Sequence, residues 1–201
     1  MKPGTTFRYS NLGADLAGYI VERASGESFE EYTEKHILNP VGMTHSGWAI
    51  EKIDRDRFVS QYLSNMKRLP RYALVTIPDG GLITSVEDLS KYLMEAIRGY
   101  QGESNLLRQA SFREMMAPQP KPKEGTMGYA AFWGGSDDRI GHSGGDPGTR
   151  TFMYFNPKTN LGFILFTNCT ADNKASDRDL ADARNTLLGY ILSPAATQNA
   201  R

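Results

Sequence analysis

The chain has 201 residues, of which 39% are apolar and 23% are charged, a composition typical of a globular protein with one sizeable core. Its 23 basic and 23 acidic residues give a formal net charge of zero, which argues against a nucleic-acid or anionic-membrane partner. The longest apolar runs, such as residues 161–167, are too short to cross a bilayer. The single cysteine excludes a disulfide framework within the chain, and the three histidines share no metal-ligand spacing, so we expect no metal and no cofactor.

Helix signals dominate the first half of the chain. Asn11 is placed to cap a helix that stops at Gly26, and Ser28 with Glu31 fits the capping box of a second helix that Asn39–Pro40 would end. Apolar residues at helical spacing predict further helices downstream. The predicted helices cover residues 11–25, 28–38, 85–97, 111–116 and 180–191.

Strand signals dominate the second half. We predict strands over residues 127–133, 149–155 and 161–167, with residues 156–160 as a hairpin loop. Residues 57–77 indicate irregular hairpins, and residues 119–125 a solvated loop. No repeat or linker divides the chain, so we predict one domain over residues 1–193 and a frayed tail over 194–201.

Tyr9 and Asn11 stand two residues apart at the start of the first predicted helix. A phenol in that position can relay protons, and an amide can hold a substrate carbonyl. The alternative is structural, with Asn11 as a helix cap and Tyr9 packed on the core.

His142 lies in the glycine-rich stretch 141–148. Glycines let the backbone approach a ligand closely and offer N–H groups to an oxyanion, although a histidine beside glycines is also a common turn residue. Ser143 does not fit the Gly-x-Ser-x-Gly nucleophile elbow.

Four segments, in order along nearly the whole chain, resemble the serine β-lactamase and penicillin-binding-protein superfamily, in its class C β-lactamase and esterase-like branch. These segments are Pro3–Gly13, Asn39–Met43, Gly80–Leu89 and Gly141–Gly145, followed by a strand over residues 162–168. The resemblance implies an α+β fold of the β-lactamase/transpeptidase type, with a helical region and a mainly antiparallel sheet flanked by helices.

The resemblance also implies roles for individual residues. Tyr9 corresponds to the proton relay of the family's Tyr-x-Asn motif, and Asn11 to the residue that orients the substrate amide or ester. His142 stands where many members have the lysine of Lys-Thr-Gly. Gly144 would let substrate lie along the strand, and the N–H of Gly145 would form half of an oxyanion hole.

The family's nucleophile belongs to Ser-x-x-Lys, on a helix that precedes the Tyr-x-Asn motif. The one literal match here is Ser64–Lys67, and we reject it because it follows Tyr9 and its residues favour a hairpin turn. We therefore expect the chain to be the C-terminal part of a larger enzyme, incomplete on its N-terminal side and inactive alone. Association through an uncovered sheet edge would follow.

Two functions remain open. The chain is either part of a serine hydrolase acting through an acyl-enzyme on a small ester, β-lactam or amide, or a non-catalytic binding module of the same fold. Histidine in place of lysine is largely neutral at pH 7, which favours an esterase-like activity over a true β-lactamase or DD-peptidase. Trp48, Tyr62 and Trp133 are candidates for the wall of the acyl pocket, and the sequence indicates no compartment.

Overall fold

The computed structural model describes residues 8–118, 128–136, 138–171 and 173–191. Within these ranges the chain has an α+β architecture of helices and short strands. The α-helices are α1 (Asn11–Ser25), α2 (Phe29–Thr33), α3 (Asn39–Val41), α4 (Val86–Gln101), α5 (Gln109–Met116) and α6 (Lys174–Ile191). The strands are β1 (Tyr62–Leu63), β2 (Gly128–Tyr129), β3 (Gly134–Ser136), β4 (Arg139–Asp146), β5 (Thr149–Phe155), β6 (Gly162–Thr167) and β7 (Cys169–Thr170).

By their contacts, the residues form two compact units that alternate along the chain. Among the described residues, the first unit comprises 8–58, 72–118, 128–136, 138–142 and 153–164, and the second comprises 59–71, 143–152, 165–171 and 173–191. The prediction of one domain ending at residue 193 stays a prediction, because residues 192–201 lie outside the described part of the chain, as does the loop predicted over 119–125.

Helix α1 has the predicted bounds but a different cap. The side chain of Ser10 accepts a hydrogen bond from the N–H of Gly13 at 3.1 Å, and Asn11 is the first helical residue. The predicted cap at Asn11 is therefore wrong by one position, because the Ser10 hydroxyl is short enough to fold back on the first turn. Gly26 ends the helix as predicted, with a φ of 76°.

The second predicted helix forms but extends past its predicted end. Ser28 and Glu31 make the predicted capping box at the start of α2. A π-helical turn over Glu34–Leu38 then leads into α3, where Pro40 sits in the first turn and Gly42, at a φ of 83°, ends the helix. Asn39–Pro40 does not end the helix, because the π-helical turn before it shifts the backbone hydrogen bonds by one residue, with the Asn39 N–H bonded to the Glu34 carbonyl, and the chain stays helical up to Gly42.

Helix α4 is tied to the segment before it by a buried carboxylate. Asp88 is fully buried and accepts hydrogen bonds from the His45 N–H at 2.7 Å, the Ser46 hydroxyl at 2.9 Å and the Lys91 ammonium at 2.8 Å. Burial opposes ionisation, but these hydrogen bonds outweigh it and hold the pKa of Asp88 below its ordinary value. The Lys91 ammonium also reaches the Gly42 carbonyl at 2.8 Å.

The core of the first unit lies among α4, α5 and the strands β4 and β5. Helix α5 begins at Gln109, two residues before its predicted start. Gly99 of α4 allows close approach, because a Cβ there would clash with the ring of Phe112. The buried members of this core are Leu93, Ala96, Phe112, Met116, Trp133, Ile140 and Phe155.

Within the described residues, five strands form a sheet in the order β2-β3-β4-β5-β6, with β2–β3 and β3–β4 antiparallel. The predicted strands over 149–155 and 161–167 form within one residue of their predicted bounds. The hairpin loop between them is also confirmed, with the Asn156 N–H donating to the Leu161 carbonyl at 2.8 Å. The strand predicted over 127–133 is wrong for the residues that the structure describes there, 128–133, because Gly128–Tyr129 is a strand and residues 130–133 form a turn.

The second unit is smaller. Strands β1 and β7 pair in parallel, and α6 follows them with the closing amphipathic pattern that the sequence predicts. The Gly148 N–H donates to the Thr170 hydroxyl at 2.8 Å, and Gly148 has a φ of 75°. None of the helices in the described ranges is long and apolar enough to cross a membrane.

Candidate functional site

Tyr9 and His142 meet in the first unit. Their rings stack with centroids 6.2 Å apart and an interplanar angle of 25°. Tyr9 lies directly before the capping residue of α1, and His142 lies on β4. The structure thus brings together one residue from each of the two motifs that the sequence singled out.

Both rings line a cavity of about 490 Å³. Its floor and walls come from the residues before α1, the first turn of α1, the turn at residues 78–79 and the turn that joins β2 to β3. The lining residues are Arg8, Tyr9, Ser10, Gly13, Ala14, Pro78, Asp79, Tyr129, Ala130, Ala131, Phe132, Trp133 and His142. A cavity of this size suits a small-molecule ligand.

The position of α1 at this cavity depends on a close backbone contact. A Cβ at Gly18 would clash with the ring of Pro78 and would lie 3.3 Å from the ring of Phe29. Only glycine lets α1 pack this closely on the turn that carries Asp79. The same contact holds the N-terminal end of α1, and with it Tyr9, beside the turn.

The turn between β2 and β3 carries backbone strain at the cavity wall. Phe132 has a φ of 62°, in the left-handed region that a bulky L-residue rarely adopts, and its side chain is 62% exposed. Hydrogen bonds hold this turn, from the Ala130 N–H to the Trp133 carbonyl at 2.7 Å and from the Ala131 N–H to the Met115 carbonyl at 3.1 Å. Strain of this kind concentrates at functional sites.

His142 is half-buried, and its strand is packed tightly beside it. A Cβ on the preceding Gly141 would clash with the Met153 carbonyl and with Tyr154. The Tyr154 ring itself stacks on Phe163 and lies 5.4 Å from the guanidinium of Arg139. These contacts fix β4 at the residue just before the imidazole.

The other predicted site residues are placed differently. Asn11 is exposed and does not line the cavity, although Ser10 before it and Gly13 after it do. Gly144 and Gly145 follow His142 on β4, are exposed and belong to the second unit. Their predicted oxyanion role stays a prediction.

Of the three aromatic candidates for the pocket wall, Trp133 lines the cavity. Trp48 instead donates from its indole N–H to the Thr33 hydroxyl at 2.8 Å and packs edge-on against Phe29. Tyr62 lies on β1 in the second unit.

The rejected nucleophile match forms a turn, as the sequence predicts. Met66 has a φ of 64° and its N–H donates to the Leu63 carbonyl at 2.9 Å. Ser64 and Lys67 therefore do not lie one turn apart on a helix, which the Ser-x-x-Lys geometry requires.

Sequence reasoning missed the charged wall of the cavity. Among the described residues that line the cavity, Asp79 is the one carboxylate. Arg8, just before α1, also lines it. The aspartate follows a proline and precedes two glycines, a pattern that indicates only a turn.

The sequence of this chain is similar to a known protein family and to curated proteins. Residues 1–188 match the family described as Beta-lactamase. The protein named Protein flp, from Staphylococcus aureus (strain NCTC 8325 / PS 47), is 27% identical over 177 residues, which cover 85% of this chain and 35% of that protein. The putative penicillin-binding protein PbpX of Bacillus subtilis (strain 168) is 26% identical over 178 residues, covering 83% of this chain and 41% of that protein.

Among solved structures, the octameric penicillin-binding protein homologue from Pyrococcus abyssi matches with a TM-score of 0.74 and 29% identity. That match covers 84% of this chain and 40% of the archaeal one. The chain thus spans well under half of the length of these relatives. Because the family model matches residues 1–188 of the 201, the chain belongs to the Beta-lactamase family.

Proposed function

We propose that this chain carries the Tyr-x-Asn and His-x-Gly part of a serine-hydrolase site that acts on a small ester, β-lactam or amide through an acyl-enzyme. The stacking of Tyr9 on His142 at the wall of the 490 Å³ cavity supports this most strongly. The two residues belong to different motifs and are far apart in the sequence, so their meeting needs the folded chain.

In the proposed reaction, a serine hydroxyl adds to the substrate carbonyl, and the Tyr9 phenol takes up the serine proton as it gives its own proton to the departing oxygen or nitrogen, so the phenol stays neutral. Water then adds to the acyl-enzyme carbonyl and the acid leaves, with a proton of the water returning to the serine oxygen. His142 packs against the phenol and can donate a hydrogen bond to it or to substrate. The exposed amide of Asn11 would orient the substrate carbonyl.

The nucleophile in this proposal comes from a Ser-x-x-Lys segment outside the 201 residues, because the one literal match within them forms a turn. His142 stands in place of a lysine, and a neutral imidazole binds a substrate carboxylate less strongly than a permanent cation does. This favours ester substrates over substrates that carry a carboxylate.

The first experiment treats the 201-residue chain with a fluorophosphonate label, a chromogenic ester and a chromogenic cephalosporin. We expect neither labelling nor turnover. Labelling that is lost in Ser64→Ala would show that the turn residue is the nucleophile, and labelling lost only in Ser143→Ala would show a different mechanism; either result would overturn the proposal.

The second experiment extends the chain through the coding sequence upstream of Met1 and repeats the assays. If that form carries Ser-x-x-Lys, we expect ester turnover that falls strongly in Tyr9→Phe and in His142→Ala. Turnover that is unaffected by both substitutions would contradict the roles assigned to the two residues.

The alternative is a non-catalytic binding module of the same fold. It is supported by the turn at Ser64–Lys67, because the one literal Ser-x-x-Lys match in the chain lacks the helical geometry of a nucleophile motif. It predicts that small acyl compounds bind to the cavity with no chemistry in either form. A form that contains Ser-x-x-Lys and yet never becomes labelled would favour this alternative.

We further propose that the chain self-associates. The sequence suggested an uncovered sheet edge, and within the described residues β6 is one edge of the five-stranded sheet. Helix α1 offers a second surface, because Leu12, Leu16, Tyr19 and Ile20 are each more than half exposed.

A further inference from the structure

The turn that joins β2 to β3 holds Phe132 in a backbone conformation that costs free energy. Its φ of 62° brings the Cβ close to the next carbonyl oxygen. Such strain persists where the surrounding structure compensates for it, usually by packing the side chain. The Phe132 side chain is 62% exposed, so contacts among the described residues compensate for only a small part of the strain.

Two other described residues besides glycine have a positive φ, and they show what is ordinary in this region of backbone space. Asn160 has a φ of 59° in a hairpin loop, and asparagine is a residue type that tolerates it. Met66 has a φ of 64° in an exposed turn and does not line the cavity. Of the three residues, Phe132 is the one that lines the cavity.

The same cavity has a carboxylate oxygen without a hydrogen-bond donor. Asp79 lines the cavity, and its Oδ1 is shielded from solvent and accepts no hydrogen bond from the described residues. A shielded carboxylate oxygen without a donor also costs free energy. A polypeptide segment can recover both costs, because it offers apolar side chains to the ring and N–H or O–H groups to the carboxylate.

The course of the chain indicates which segment this is. Arg8 is the first residue that the structure describes, and it lines the cavity, so a segment that precedes it in the sequence joins the described chain at this cavity. The proposed reaction needs an upstream serine within hydrogen-bond reach of the Tyr9 phenol. Tyr9 lines the same cavity as Phe132 and Asp79, so the segment that brings the serine to Tyr9 also comes close to both.

We propose that Phe132 and Asp79 form a docking surface for the upstream segment that carries Ser-x-x-Lys. The Phe132 ring packs against an apolar side chain of that segment, and Asp79 accepts a hydrogen bond from one of its N–H or O–H groups. Burial of the ring compensates for the strain in the turn. This inference rests on the proposed function for the existence of the segment, but docking is measured through stability and not through turnover.

The test compares the thermal unfolding of Phe132→Asn in the 201-residue chain and in the form extended through the upstream coding sequence. Asparagine tolerates the left-handed region, so in the 201-residue chain the substitution should relieve strain and raise Tm by about 2–4 °C. In the extended form it also removes a packed ring, and Tm should fall by about 5 °C or more. Phe132→Tyr keeps the ring and should leave the Tm of the extended form close to that of the native protein.

Met66→Asn is the matched control, because Met66 has the same backbone conformation and a similarly exposed side chain, 72%, but does not line the cavity. It should raise Tm by a similar amount in both forms. Asp79→Ala tests the second contact. We expect little change of Tm in the 201-residue chain and a fall of about 2–4 °C in the extended form, where the donor of the segment is left unpaired.

A rise in Tm for Phe132→Asn in both forms would show that the ring stays exposed, and a fall in both would show that it is already packed in the 201-residue chain. Either result would overturn the inference. Opposite signs in the two forms without ester turnover would support docking and contradict the catalytic proposal. Ester turnover with the same sign in both forms would support catalysis and contradict docking.

Discussion

The ring of Tyr9, one residue before the cap of α1, stacks on the imidazole of His142 on β4 with 6.2 Å between the ring centroids. Packing on both sides fixes this pair. The contact between Gly18 and Pro78 sets the position of α1, and the contact between Gly141 and the Met153 backbone sets the position of β4.

The first prediction concerns the phenol. In a form that turns over an ester, Tyr9→Phe should keep the ring stack and remove the proton relay, so kcat should fall by about 10²–10⁴-fold. Tyr19→Phe is the control, because Tyr19 is an exposed phenol on α1 that does not line the cavity. A change in KM or stability alone, with kcat unchanged, would show that Tyr9 only packs.

The sequence singled out Tyr9 and His142 because each lies in a short motif, and the structure brings their rings together, while their catalytic roles stay a prediction. The stop of α1 at Gly26 and the hairpin loop at residues 156–160 also followed from local chemistry, which needs no distant partner. These features depend on neighbouring residues, so the sequence contains enough to specify them.

Other features could not be predicted because they depend on tertiary contacts. Residues 127–133 have the apolar character of a strand, yet hydrogen bonds to Trp133 and Met115 hold part of them as a turn with Phe132 in the left-handed region. Asp79 has the local pattern of any turn aspartate, and only the fold brings it to the wall of a cavity.

The second prediction concerns the buried carboxylate of α4. Asp88→Asn should lower the free energy of unfolding by about 1–3 kcal/mol, because it weakens charged hydrogen bonds to His45, Ser46 and Lys91. Urea unfolding followed by circular dichroism measures this, with Glu87→Gln, exposed on the same turn, as the control.

The pH dependence gives the third prediction, with its sign fixed by the lowered pKa of Asp88. The carboxylate's contribution is fully present above the ordinary aspartate pKa of 3.8 and is lost as the pH falls through the lower folded value. The stability difference between the native chain and Asp88→Asn should therefore be constant from pH 7 down to about pH 5 and should shrink on further acidification. A difference that grew below that pH would contradict the direction of the shift.

The fourth prediction compares two glycines, Gly141, which is needed for close packing, and Gly189, which only adds backbone freedom to a helix. Gly141→Ala should destabilise the chain by several kcal/mol or prevent folding, because its Cβ would clash with the Met153 carbonyl, which cannot move without breaking the sheet. Gly189→Ala lies in an exposed turn of α6, where an added Cβ would meet no atom within 4 Å, and should instead stabilise by about 0.5–1 kcal/mol. Thermal unfolding of both variants tests the pair, and equal effects would mean that the contact beside His142 is looser than the structure indicates.

The last prediction concerns self-association through α1. Leu12 is 77% exposed, Leu16 59% and Ile20 58%, and these positions repeat at helical spacing, so together they form a continuous apolar strip. Burial of such a strip against another copy removes apolar area from water, and the double variant Leu16→Lys/Ile20→Lys should reverse that gain. In sedimentation velocity we expect concentration-dependent association of the native chain and a mostly monomeric double variant. The control, Val75→Lys, changes a 99% exposed side chain that is not part of the α1 strip and should associate like the native chain. If the double variant associates as strongly as the native chain, the strip is not the contact and the edge strand β6 becomes the surface to test by substitution.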